Sequence, residues 1–249
     1  MKKTIKLLII LLVCMLFFSS TTYAQPEDSL FGKTFNLEGP QDYVKSIQIL
    51  ILLTVLTLAP SILIMMTSFT RLIIVLSFIR NALGLQQTPP NQVLIGLALF
   101  LTFFIMAPIG SQINSEAIQP FLKEEIDQEV AYENTMEPIR EFMFKQTRGN
   151  DIKLFMEMAE LKNVDKLNQI PSRVLIPAFI ISELKTAFQI GFIIYIPFLV
   201  IDMVVSSTLM SMGMMMLPPV IISLPFKILL FILVDGWNLI AKSLVIGFK

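Results

Sequence analysis

The chain has 249 residues, 55% of them hydrophobic, and its 19 basic and 19 acidic side chains cancel. Mean hydropathy is +0.74, too apolar for an ordinary soluble domain, and the balanced charge offers no attraction for nucleic acid. Histidine is absent and Cys14 is the one cysteine, which excludes histidine-based metal sites, histidine triads and an internal disulfide.

Residues 1–24 read as a secretory signal. Lys2, Lys3 and Lys6 form a positive start, Leu7 to Phe18 gives twelve apolar residues, and small residues lead to cleavage after Ala24. Twelve residues are too few to span a bilayer, which needs about 20. The alternative is an uncleaved anchor. A lipoprotein site at Cys14 is disfavoured by the bulky Val13 and by its place in mid-run. Residues 25–42, polar and carrying Gly32, Gly39 and Pro40, read as an exported arm.

Residues 43–113 are expected to form a first apolar helical hairpin. Ile47 to Thr70 is a charge-free run of 24 residues, long enough to cross a bilayer, which Pro60 should kink or divide. Arg71 and Arg80 follow, then the loop Asn81 to Gln92, NALGLQQTPPNQ. Pro89 and Pro90 suit the start of the next helix, where a missing N–H costs nothing. Val93 to Ile113 is the second apolar segment, interrupted by Pro108.

Residues 114–173 carry twelve acidic and eight basic side chains. Apolar residues recur there at helical spacing, at Ile139, Phe142 and Met143 and again at Ile152, Phe155, Met156 and Ala159. The segment reads as a polar domain of two or three amphipathic helices, separated near Pro138 and near Arg148-Gly149-Asn150. Its charges are a solvated face.

Residues 174–249 form the second apolar hairpin. Val174 to Val205 carries Glu183, Lys185 and Asp202, and Val220 to Phe248 carries Lys227, Asp235 and Lys242. Between them runs LMSMGMMMLPP, with Met210, Met212, Met214, Met215 and Met216 crowded around Gly213 and stopped by Pro218 and Pro219. Gly213 and the prolines predict a broken helix or tight loop. Methionine is unbranched and repacks easily. The stretch is either a methionine-rich core turn or a deformable apolar plug that closes a passage.

With each apolar segment counted as a span and the N-terminus outside, the Arg71–Gln92 loop and the methionine stretch face inward and residues 114–173 face outward. Arg71 and Arg80 agree with the positive-inside tendency. Unpaired charge within a membrane costs at least about 2.5 kcal/mol by insertion scales, so Glu183, Lys185, Asp202, Lys227 and Asp235 should pair or line water. Glu183 and Lys185 are two apart and point to different sides of a helix. Ion pairs between copies, also involving Arg71 and Arg80, stand beside bridges within the chain as the two readings. An intramembrane enzyme would use an Asp202/Asp235 dyad or a Ser182/Lys185 pair. Neither sits in a nucleophile turn or beside an oxyanion-forming glycine stretch, so no enzyme is expected.

Two long, ungapped stretches resemble the FliP family of flagellar biosynthesis proteins: MTSFTRLIIVLSFIRNALGLQQTPPNQVLIGLALFLTFF (Met66 to Phe104), and the run from Ile176 to Trp237 containing SELKTAFQIGFIIYIPFLVID, the methionines and LVDGW. The resemblance implies an all-α, membrane-associated subunit of the export gate of a flagellar type III secretion apparatus, in the bacterial inner membrane within the basal body and partly projecting to the periplasmic side. Copies would assemble with FliQ-type and FliR-type subunits, other export-apparatus membrane proteins and the basal-body ring into a channel for unfolded flagellar proteins. Met214, Met215 and Met216 would form a gasket sealing it. The family's helices bend into hairpins buried against neighbouring subunits, which suits the internal charges, Pro60 and Pro108 better than four straight spans. The alternatives are an injectisome export-gate subunit, which the signal peptide disfavours, and a small-solute or ion transporter using Glu183, Asp202 and Asp235. No cofactor is implied.

Overall fold

The computed structural model describes residues 40–161, 170–214 and 216–248; the expected signal, all but the last positions of the 25–42 arm, and Met215 lie outside them. The chain divides into two units, residues 1–58 and 59–249. Every regular element among the described residues is helical, as the sequence predicts: α1 Pro40–Met65, α2 Phe69–Ala82, α3 Asn91–Ile113, a π-helical turn Asn114–Ile118, α4 Gln119–Leu122, α5 Gln128–Gln146, α6 Gly149–Met158, α7 Ser172–Ser211, α8 Pro219–Leu233 and α9 Gly236–Ile246.

α1 holds 26 residues, and Pro60 does not divide it. Proline removes a single N–H, and an apolar helix tolerates that loss. Thr54 and Thr57 turn their hydroxyls onto the carbonyls of Leu50 and Thr54, at 2.7 and 2.9 Å, so neither donor is left bare on an apolar helix. Pro108 likewise lies inside α3 and Pro138 inside α5. The break expected near Pro138 is therefore absent, while the expected break near Arg148 is present between α5 and α6.

The core of the second unit is the seam between α2 and α7. In α2 the buried side chains Leu72, Val75, Leu76 and Ile79 recur every three or four residues and form one stripe. α7 adds Val174, Leu175, Ala178 and Phe179, all nearly inaccessible, to the same core cluster. Further along, Gly191 lets α7 approach Phe78: a Cβ there would sit 2.6 Å from the ring. Phe78 also meets Phe188 edge to face, with ring centroids 5.4 Å apart. The amphipathic pair α5 and α6 adds Phe142, Met143, Ile152 and Met156 to the same core, from the two faces predicted by periodicity. Asp127 starts α5 by accepting the Val130 N–H at 2.9 Å.

α3 does not stop where the composition turns polar. It continues through the π turn and α4 as a 32-residue rod ending at Leu122. α7 is longer than the apolar segment in the sequence, at 40 residues, or about 60 Å. Both are long and apolar enough to cross a membrane, and α8 with α9 is apolar enough only as a bent pair, the form of a broken span or of a re-entrant loop. The last segment is thus two helices, not one. They turn by 62° at Val234 and Asp235, where Asp235 takes the left-handed conformation at φ +49°, which aspartate tolerates better than most residues. Gly236 follows because Phe231 occupies the space that a Cβ would need.

Candidate functional site

The methionine-rich stretch is a loop between two apolar helices, as its glycine and prolines predict. α7 ends in a turn closed by two backbone bonds: Gly213 N–H donates to Met210 O at 3.0 Å, and Met214 N–H donates to Leu209 O at 3.0 Å. Gly213 sits at φ +76°, the left-handed position at which glycine ends a helix without strain. Pro218 precedes α8 and Pro219 opens it, where no N–H is missed. The methionines do not pack into the chain's own core. Met210, Met212 and Met214 are 61%, 68% and 44% exposed, and Met216 is 98% exposed. Of the two readings of the sequence, the intrachain core turn is therefore the one that fails for these four residues.

The two arms of this loop are tied together. Asp202 on α7 accepts from Lys227 Nζ at 2.6 Å and from Ser223 Oγ at 2.5 Å on α8. Lys227 and Ser223 are buried, while a quarter of the Asp202 side chain remains exposed. Among the described residues these are the only side-chain hydrogen bonds joining α7 to α8. Farther from the loop, Phe198 and Phe231 pack with centroids 6.5 Å apart. Beside the clamp, and running on toward the loop, lies an open apolar groove of about 520 Å³, lined by residues from Val200 to Leu209 on one side and by Ile222 and Phe226 on the other. Gly84, at φ +80°, lets the α2–α3 connection approach α8; a Cβ there would lie 3.7 Å from Val220 and 4.0 Å from Lys227 Nζ.

A second charged centre lies in the core. Arg71 Nε donates to Glu183 Oε2 at 2.9 Å and Nη2 donates to Glu183 Oε1, a two-point match of guanidinium to carboxylate. Arg71 also donates to Gln146 Oε1 and to the Gly247 carbonyl, each at 3.2 Å, and lies 3.8 Å over the Phe248 ring. Gln146 Nε2 in turn donates to the Phe248 carbonyl at 3.3 Å. One arginine thus joins α2, α5, α7 and the C-terminal end.

The charges singled out for pairing separate into two groups. Arg71, Glu183, Asp202 and Lys227 find partners within the chain. Arg80 donates from Nη1 to Asn91 Oδ1 at 2.6 Å and to the Pro89 carbonyl at 3.3 Å, fastening the proline loop to α2. Pro90 caps α3. Asp235 accepts from Asn238 at the bend, and Lys185 is exposed without an ion-pair partner among the described residues. The two enzyme arrangements do not form: Asp202 and Asp235 bond to different partners, and buried Ser182 accepts the Arg148 N–H at 3.1 Å, with Lys185 facing out. Reading the sequence missed Ser223, Gln146 and Phe248. Ser223 had a findable signal, since it lies four residues before Lys227 on one helical face. Gln146 and Phe248 had none, because only tertiary packing brings them to Arg71.

Helices long and apolar enough to cross a membrane, with Arg71, Glu183, Asp202 and Lys227 paired inside the chain, define the class: an all-helical membrane protein. The chain belongs to the FliP family, which it matches over residues 52–244. It is 60% identical over 218 residues to the flagellar biosynthetic protein FliP of Bacillus subtilis (strain 168), covering 88% of this chain and 99% of that one. The protein of the same name from Pectobacterium carotovorum subsp. carotovorum is 57% identical over 210 residues, covering 84% and 81% respectively. That of Aquifex aeolicus (strain VF5) is 53% identical over 213 residues, covering 85% and 89%.

Proposed function

We propose that this chain is a subunit of the export gate of the flagellar type III secretion apparatus. Several copies, with FliQ-type and FliR-type subunits, would form a channel in the bacterial inner membrane through which unfolded flagellar proteins pass. The observation that carries this reading is the exposed methionine loop at the tip of an apolar hairpin, in a chain of the FliP family. In a ring of copies, flexible thioether side chains from each loop meet at one axis. They exclude water and ions at rest, and they part around varied polypeptides because they impose no fixed complementary shape. Such a gate makes and breaks no covalent bond, and its driving energy comes from elsewhere in the apparatus.

The flagellar relatives favour this branch over an injectisome. A solute transporter is disfavoured because Glu183 and Asp202 are both held by cations of the same chain. The test is the mass of the detergent-purified protein, alone and co-expressed with its neighbouring membrane genes, followed by ion flux through the assembled complex in liposomes. A discrete ring that grows with its partners, and that leaks when Met214, Met215 and Met216 become alanine, supports the gate. A monomer in both preparations, or unchanged flux in the assembled variant, overturns it.

A further inference from the structure

We infer that Asp202, Ser223 and Lys227 are positioning residues for the methionine loop: their clamp sets the fork at which the α7–α8 hairpin opens. This rests on the gate reading above for its functional meaning, although its geometry does not.

Along the hairpin toward its tip, the contacts change in kind. Phe198 packs on Phe231, Lys227 and Ser223 bind Asp202, and an open groove lined by both arms starts at the level of this clamp and runs on to Leu209, just before Met210. Among the described residues the clamp provides the last side-chain hydrogen bonds between the two arms below the loop. Apolar contacts slide at little cost because they have no direction, whereas a carboxylate holding two donors in an apolar setting fixes the register of both helices. Loss of the clamp leaves the Phe198–Phe231 contact as the next tie, moving the fork back by about one helical turn, roughly 5 Å. The groove supplies the space into which the freed arms can swing. Gly84 brings the α2–α3 connection against Val220 and close to Lys227, so the fork is also buttressed from outside the hairpin.

The experiment uses the full chain, with Cys14 replaced by serine, assembled with its partner membrane proteins. Spin labels at Met210→Cys and Leu217→Cys report the width of the loop by pulsed electron resonance, and ion flux in liposomes reports closure. Asp202→Asn and Lys227→Met should broaden the distance distribution and raise resting flux several-fold. Lys227→Arg, which keeps the charge and its donors, should restore a narrow distribution. Ser223→Ala leaves the ion pair in place and should broaden the distribution by a smaller amount; it carries the decision if the charge variants fail to assemble. A distribution as narrow as the parent's in assembled Ser223→Ala and Asp202→Asn overturns the inference. The two readings fail separately. A leak from the methionine variants without one from Asp202→Asn removes the clamp alone, whereas tight methionine variants remove the gasket and leave the label distances to judge the clamp.

Discussion

Arg71 and Glu183 meet in the core although 112 residues separate them, with the guanidinium set against both carboxylate oxygens. A buried charge stripped of its partner is far costlier than an apolar pair of similar size. Arg71→Ala and Glu183→Ala should each destabilise the folded chain by about 3–5 kcal/mol, seen as lost yield and a lower Tm in detergent. Arg71→Lys should rescue poorly, because an ammonium cannot match both oxygens at once. The double variant Arg71→Met with Glu183→Met should fall well short of the sum of the single losses. Additive losses would remove the pairing argument.

Phe248 stacks beneath that arginine and lies 6.1 Å, centroid to centroid, from Phe142. Phe248→Ala should therefore cost about 3 kcal/mol or more, the range for truncating a buried phenylalanine. The loss should appear in thermal unfolding of the purified protein. An unaltered Tm would mean that the C-terminal end does not support the core.

Gly191 and Gly236 are held to glycine by aromatic rings, those of Phe78 and Phe231. Gly191→Ala should cost about 1–3 kcal/mol by overpacking, and Phe78→Leu should recover part of it in the double variant. Thermal unfolding of the three proteins would check this coupling. Equal losses with and without Phe78 would show that the ring is not the obstacle.

Gly213 ends α7 at φ +76° with open space around its α carbon. Gly213→Ala should thus cost only the left-handed strain of about 1–2 kcal/mol, with no clash to relieve. The expected signature is weakened protection from hydrogen exchange at Met212 to Met214, with the Arg71 core unaffected. Global loss of protection would place the strain outside the loop.

Much of this fold is written locally. The three-and-four spacing of Leu72, Val75, Leu76 and Ile79, the N-cap Asp127 and the glycine-proline punctuation of the methionine stretch each name their own structure. Pro138 misleads because one lost hydrogen bond is weak evidence against a helix whose apolar face packs into a core, and Pro60 likewise leaves α1 undivided. The bend at Asp235 is not legible in the apolar run that contains it, because hydropathy does not encode a left-handed residue; its one local signal is the Asp235-Gly236 pair. The charges could be flagged by their cost, yet their partners could not. Nothing near position 71 in the sequence points to Glu183, Gln146 or Phe248.

α7 carries exposed apolar side chains from Ile181 to Met210, a stretch of about 45 Å. The oily layer of a bilayer is about 30 Å thick, so lipid alone leaves part of this rod wetted by water even when it leans. A single copy is consequently an unfinished object, greasy beyond the reach of its solvent. Under the gate proposed above, neighbouring subunits would cover the remainder, and copies made in excess of them would be a liability to the cell.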